Sequence, residues 1–581
     1  MQEHTRDDER RPDRDRAAGD VPRPGPGGAP PGLARAGAVM AAGTVASRLT
    51  GFVRTLAVGS ALGTALLGDA YQTAEMIPYT VYELLLGGLL AGVLVPFLVR
   101  RRMRDADGGE AIERRLLGAA LPALAVLTVL AVLAADRLTS LYAGDYTGRQ
   151  REVTVLLTRL LLVQVFFIGV SGLAGTMLTV RRRFAAAVWA PVANNLITAA
   201  AAGAFLWVAG RGRTTATVTD AQLTVLGVGS VLGTLVQTAL LVWTLRSAGF
   251  RWRPRMDLRG AGLREPARTT GWMLLYVAVA QAGVLVIANV ASRAGARAAA
   301  AGHPEGGGLA AYKLALVLFQ LPHAVVAVSL ITALLPRMSA HAAGGRRDLV
   351  RADLSRGLRL ACALLVPLSL GMLVFAVPGS VALFSYGSVT PDAARRVGAV
   401  LAVFALMVVP FTVHQLLTRV LHALGDTRSA GLIAVPAGIA QAVAAVLLLR
   451  CVPPSDVVTW LPAASGLFSA VGAAGAFLVL RRRLGGADGR RIAATLTRLH
   501  VAALPALAFA AAVVWGFGRM PGERLPGVLA VLVGGLGGAV LYFAVGRVMG
   551  VPELAHLTAM ARGRLRRRPA GVSAAGGRAR S

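Results

Sequence analysis

The chain has 581 residues, 55% of them hydrophobic, and a formal net charge of +32. A soluble fold of this length would not be so apolar, and runs of about 20 apolar residues, each long enough to cross a ~30 Å hydrocarbon core as a helix, recur along nearly its whole length. The composition therefore excludes a soluble enzyme. The arginines cluster in short loops between apolar runs, which is topology signalling and attraction to anionic lipid rather than nucleic-acid binding, and the alternating ~10-residue segments of a β-barrel are absent.

Taken in order, residues 1–33 are rich in Arg, Asp, Pro and Gly and poor in apolar residues. They cannot bury a core and are expected to form a disordered cytoplasmic tail. With no cleavable apolar leader ahead of it, the first span is expected to be retained as an anchor. Fourteen spans follow, near 37–61, 72–99, 115–135, 154–179, 185–209, 223–245, 270–292, 310–335, 358–384, 397–422, 429–450, 459–480, 497–517 and 525–547. The loops between them alternate. One set is strongly basic, as at Arg100-Arg101-Arg102, Arg181-Arg182-Arg183 and Arg481-Arg482-Arg483, and the other is mixed, as at Asp136 to Glu152 and Ser385 to Arg396. Positive loops stay on the cytoplasmic side, so both termini are expected there, which requires an even number of spans.

An internal repeat runs through this pattern. The second span holds Ala70-Tyr71 and Pro78 and ends at Val95-Pro96; the eighth holds Ala311-Tyr312 and Pro322 and ends at Leu335-Pro336. Pro191 and Pro436, in the fifth and eleventh spans, are also about 245 positions apart. An even number of helices separates the copies, so the halves share one orientation, as in transporters built from parallel repeats. The expected fold is an all-α polytopic membrane protein with two six-helix lobes, 34–265 and 266–485, followed by two further helices within 486–550 and a basic cytoplasmic tail, 551–581.

The chemistry concentrates in the first hairpin. Arg48, Arg54, Asp69, Glu75 and Glu83 all fall in or beside its two apolar helices. An ionised group at membrane depth costs at least roughly 2.5–3.5 kcal/mol on insertion scales, so these groups must face a watery cavity, pair with one another, or both. Arginine in such a cavity suits phosphate, since its planar fork donates two parallel hydrogen bonds and stays charged. Arg48 and Arg54 lie about 120° apart around a helix and border one polar stripe. Glu75 and Tyr79, with Tyr82 or Glu83, share a face of the second span, which Pro78 would kink. The competing reading is an Arg–Glu network that only fixes helix packing, with Arg48 reaching out to the surface and Asp69 capping its own helix near the outer mouth. Lys313, the single lysine of the chain, opens the eighth span and reads equally as a third cavity cation or an interfacial anchor. Single amides such as Gln164, Asn195, Gln281, Asn289, Gln320, Gln415 and Gln441 read mainly as helix–helix glue. Cys362 and Cys451 form neither a ligand set nor a disulfide framework. There is no phosphate loop and no HExxH motif, so no cofactor, no metal and no ATP-driven chemistry is expected.

These residues also carry a resemblance. Ser47, Arg48, Gly51 and Arg54, then Asp69-Ala70-Tyr71, Ile77-Pro78, Gly88 and Val95-Pro96, are similar to the first two helices of the MurJ/MviN family. The stretches LFQLPHAVVAVSLITALLPRMS from Leu318, LFSYGS from Leu383 and QLLTRVLHALGDTRSAG from Gln415 extend the likeness over nearly all spans. The resemblance implies a member of the multidrug/oligosaccharidyl-lipid/polysaccharide exporter superfamily, with two lobes around a V-shaped cavity and two added helices forming a lipid-tail groove. It implies a transporter rather than an enzyme, in the bacterial cytoplasmic membrane, moving lipid II for peptidoglycan synthesis. Lipid II and membrane lipids are then the partners, with cell-wall synthesis proteins as further candidates. It carries a diphosphate-holding role to Arg48 and Arg54 and a functional role to Asp69. It also exposes departures: Met76, Tyr82 and Val317 stand where relatives can carry basic residues, Lys313 lies one turn from Val317, and the acidic residues of sodium-binding relatives are missing from spans seven and eleven. Export of another polyprenyl-linked glycan or amphipathic compound, or a non-transporting scaffold role, would be compatible with the same pattern.

Overall fold

A computed structural model of the chain describes residues 31–84, 95–104, 109–251, 267–303, 305–555 and 557–558. Most of the expected disordered tail, the motif glycine Gly88, most of the basic loop from Arg246 to Arg268, and residues 559–581 of the basic C-terminal tail lie outside the described residues. No strand occurs among those that are described.

The first half comprises α1 (Pro31–Leu62), α2 (Leu66–Tyr82), α3 (Val95–Arg104), α4 (Glu110–Leu133), α5 (Ala135–Tyr142), α6 (Gly148–Leu162), α7 (Gln164–Val180), α8 (Phe184–Ala209) and α9 (Asp220–Ser247). The second comprises α10 (Ala267–Ala300), α11 (Leu309–Pro322), a π-helical turn at His323–Ala327, α12 (Val328–Ala343), α13 (Arg347–Phe384), α14 (Pro391–Ala423), α15 (Thr427–Cys451) and α16 (Pro454–Arg483). Last come α17 (Gly489–Phe517) and α18 (Arg524–Val548). Several starts are fixed by local chemistry. Thr219 and Gln222 form a reciprocal capping box, Thr390 caps the helix that Pro391 opens, and Asp426 accepts from the Ser429 amide at 3.1 Å. Such caps satisfy amides that have no partner within the first turn of their helix.

Among the described residues, eleven helical stretches are long and apolar enough to cross a membrane. The predicted spans that do not qualify are the first, second and eighth. α1 carries Arg48 and Arg54, α11 ends at Pro322, where the chain makes its π turn, and residues 85–94 of the second span lie outside the described residues. All three contribute residues to the cavity described below.

The two halves pack alike. α1 lies on α8 as α10 lies on α15, α8 on α9 as α15 on α16, and α4 on α7 as α13 on α14. α17 and α18 pack on each other and on α13, and the Tyr542 hydroxyl donates to the Ala363 carbonyl at 2.9 Å. Beyond α18 the chain folds back, burying Val551 and Leu554, and Glu553 pairs with Arg359 of α13.

The hydrogen bonds and ion pairs joining the halves among the described residues gather at one end. There the Ser388 amide donates to the Ser60 carbonyl at 2.7 Å, the Ser388 hydroxyl to the Ala61 carbonyl at 3.1 Å, and the Gly306 amide to the Thr64 carbonyl at 3.2 Å. Asn289 donates to the Leu141 carbonyl at 2.8 Å, and Arg293 and Arg297 reach Asp145 at 3.4 and 3.2 Å. This sealed end holds the mixed loops; the basic loops lie at the other.

Candidate functional site

Between the halves lies a chamber of connected compartments. The first, about 440 Å³, is lined by Arg54 from α1, Glu75 and Tyr79 from α2, Glu83 just past its end, Gln281 from α10 and Lys313 from α11. Arg54 and Glu75 form an ion pair with side chains 22% and 16% exposed, so it borders water rather than dry packing. Lys313 faces the same space, near enough to Arg54 to feel its charge. Neither Lys313 nor Glu83 has an ion-pair partner among the described residues.

Arg48 lies one compartment further along α1. It lines a space of about 380 Å³ with Ser47, Pro191 and Gln320, and Gly51, Thr55, Val317 and Gln320 border both compartments. Arg48 is exposed and unpaired among the described residues. Between the arginines, Asn195 of α8 donates to the Ser47 carbonyl at 3.1 Å and the Thr50 hydroxyl at 3.2 Å, so α8 holds the face of α1 that presents them. A third compartment, about 410 Å³, extends toward α14, α15 and α16 and shares Lys313, Met76 and Gln320 with the first.

Five of the six predicted site residues, Arg48, Arg54, Glu75, Glu83 and Lys313, therefore line the chamber. Asp69 does not. It is buried at the sealed end and caps a helix other than its own. α2 begins after Ala65 with no side-chain cap, whereas the Asp69 carboxylate accepts the Ala310 amide, in the first turn of α11, at 2.8 Å. Gly308 and Gly295 make room, since a Cβ on either would run into that carboxylate. A carboxylate at a helix N-terminus meets both free amides and the positive end of the helix dipole. The bond joins α2 of one half to α11 of the other, 241 positions apart.

The amides divide. Gln164 accepts from Thr234 at 3.0 Å, and Asn195 and Asn289 tie helices together as expected. Gln281, Gln320, Gln415 and Gln441 instead line the chamber and make no hydrogen bond within the described residues. Beside the chamber, an apolar groove of about 510 Å³ runs between α13, α17 and α18, lined by Leu368, Phe375, Leu507, Val531 and Tyr542. It touches the Arg48 compartment at Leu321.

Two repeated helical halves around a charged chamber, closed at one end, define a membrane transporter of the alternating-access kind. The lipid II flippase MurJ family profile matches residues 58–533, and the chain belongs to that family. It is 28% identical over 427 residues to a probable lipid II flippase MurJ of Rhizobium meliloti (strain 1021), covering 72% of this chain and 75% of that one. Its fold is similar to a lipid II flippase MurJ in an inward closed conformation, with a TM-score of 0.67 and 14% identity over 88% of this chain and 98% of that one. An inward-facing multidrug resistance transporter of the MATE family, of the MOP superfamily, follows at a TM-score of 0.56 and 16% identity, covering 76% and 94%.

Proposed function

We propose that this chain moves lipid II from the inner to the outer leaflet of the bacterial cytoplasmic membrane. The observation that carries the reading is a chamber between the halves in which, among the described residues, Arg48 and Lys313 are unpaired and Arg54 is held only by Glu75. Such a chamber attracts a diphosphate, whose oxygens accept paired hydrogen bonds from guanidinium groups. The basic loops orient both termini and the open end of the chamber toward the cytoplasm. The head group enters there and sits against Arg48 and Arg54, while the prenyl chain follows the groove between α13, α17 and α18. Lipid tails are as apolar as that groove, so the groove directs the chain more than it binds it. Parting of the sealed end and closure of the other then present the head group outside, and no bond is made or broken.

The test is depletion of the protein in its own cell, with lipid II accessibility read on the outer leaflet. Externalisation is expected to fall, and to be restored by the wild-type chain but not by Arg48→Ala or Arg54→Ala. Unchanged externalisation after depletion, in a strain lacking a second family member, would reject the reading.

A further inference from the structure

The third compartment has a chemistry of its own. Among its described lining residues Lys313 is the one charged group, and it stands at the junction with the arginine compartment. The rest is aromatic and amide. Phe319 stacks on Phe404 with centroids 4.8 Å apart and meets Phe411 at 5.3 Å, forming an apolar floor. Gln320, Gln415 and Gln441 stand around it, with Ser465, whose hydroxyl is bonded to that of Tyr312 at 3.1 Å.

Gln441 is the informative residue. It is only 7% exposed, its carboxamide packs against Gly283 where a Cβ would strike its oxygen, and it has no hydrogen-bond partner among the described residues. Its carboxamide atoms keep access to the compartment, so a bound donor–acceptor group can reach them. Gln415, half-buried on the neighbouring helix α14, is unpartnered as well. Carboxamides both donate and accept and carry no charge. They match hydroxyl and acetamido groups, and an apolar lining with a few placed polar groups is the usual make-up of a small-molecule site. Carboxylates of a peptide would need cations: Lys313 at the mouth is the one cation among the described lining residues, and the exposed Arg419 lies one turn beyond Gln415 on α14.

We propose that this compartment is a sugar subsite: Gln415 and Gln441 hydrogen-bond the uncharged saccharide of the head group, while the diphosphate stays with the arginines. The proposal rests on the lipid II reading and adds that the second half of the protein recognises the glycan. It gives the chamber a polarity, phosphate toward α1 and sugar toward α14 and α15.

The experiment compares two ligands, lipid II and undecaprenyl diphosphate, which lacks both the sugars and the peptide they carry, binding to the purified full-length protein in nanodiscs by native mass spectrometry; the Gln variants below assign the preference to the sugar contacts. The wild type is expected to prefer lipid II by about fivefold or more, as one or two hydrogen bonds of about 1 kcal/mol each would give. Gln441→Leu and Gln415→Leu, close in size but unable to hydrogen-bond, are expected to cut the preference to under twofold while leaving undecaprenyl diphosphate binding unchanged. Gly283→Ala, which displaces the Gln441 carboxamide, provides the same test should Gln441→Leu fail to fold. Variants that keep the full preference, or that lose both ligands equally, overturn the sugar subsite. A wild type that binds both ligands alike also overturns it, while leaving a polyprenyl-diphosphate carrier intact. A wild type that binds neither overturns the lipid II reading itself.

Discussion

Glu75 decides whether Arg54 is free to hold a phosphate. Its carboxylate pairs with the Arg54 guanidinium, so an incoming diphosphate must compete with it. The pair is partly hydrated, and its exchange for a ligand oxygen costs far less than breaking a dry ion pair. Glu75→Gln removes the competing charge. Binding of undecaprenyl diphosphate is expected to tighten by roughly threefold to tenfold, the scale of about 1 kcal/mol, and Arg54→Ala to weaken it by at least as much, both read as dissociation constants on the purified protein. A Glu75→Gln variant that binds no more tightly would mean the carboxylate is not a competitor. The charged residues were legible in the sequence because a charge at membrane depth is costly and demands a reason. The chamber amides were not. An amide that glues two helices and one that waits for a ligand look the same along the chain, and Asn195 differs from Gln441 only in what the fold brings next to it.

At the level of helices, the sealed end depends on one helix capping another. Asp69 of α2 holds the first turn of α11, and Gly308 is the space it needs. Gly308→Ala puts a methyl group where the carboxylate sits. Losing a cap of this kind costs about 1 kcal/mol, enough to move an equilibrium between closed and open states about fivefold. Thr73 offers a reporter, since it is fully buried at this end beside Ser292, 3.3 Å away. In a background with the exposed Cys451 replaced by serine, maleimide labelling of Thr73→Cys is expected to accelerate severalfold when Gly308→Ala is added. An unchanged rate would mean that Asp69 does not hold this end shut. The sequence marked Asp69 as unusual but pointed to its own helix, because a cap is read from neighbouring residues and this one comes from across the molecule. The charges in the first, second and eighth spans were legible, and their cause is physical: helices that line a watery chamber can carry Arg48, Arg54, Glu75 and Lys313, whereas helices facing lipid cannot.

At the scale of the whole molecule, transport requires the two halves to part where they now meet and to meet where they now part. The described contacts at the sealed end run through backbone as much as side chains. The Ser388 amide donates to the Ser60 carbonyl at 2.7 Å. Residues joined by such a backbone bond lie roughly 5–6 Å apart between Cα atoms, within reach of a disulfide. Ser60→Cys with Ser388→Cys, again without Cys451, is therefore expected to cross-link on oxidation and lock this end closed. Lipid II externalisation by cells carrying the pair should stop under oxidant and recover with reductant, while either single cysteine leaves it unaffected. The lock separates transport from mere binding: the cross-linked protein keeps its chamber open at the other end and should still bind undecaprenyl diphosphate. Full externalisation with the cross-link formed would mean that the head group crosses by a route other than the parting of the two halves, since the only displacement the disulfide forbids is the one alternating access requires.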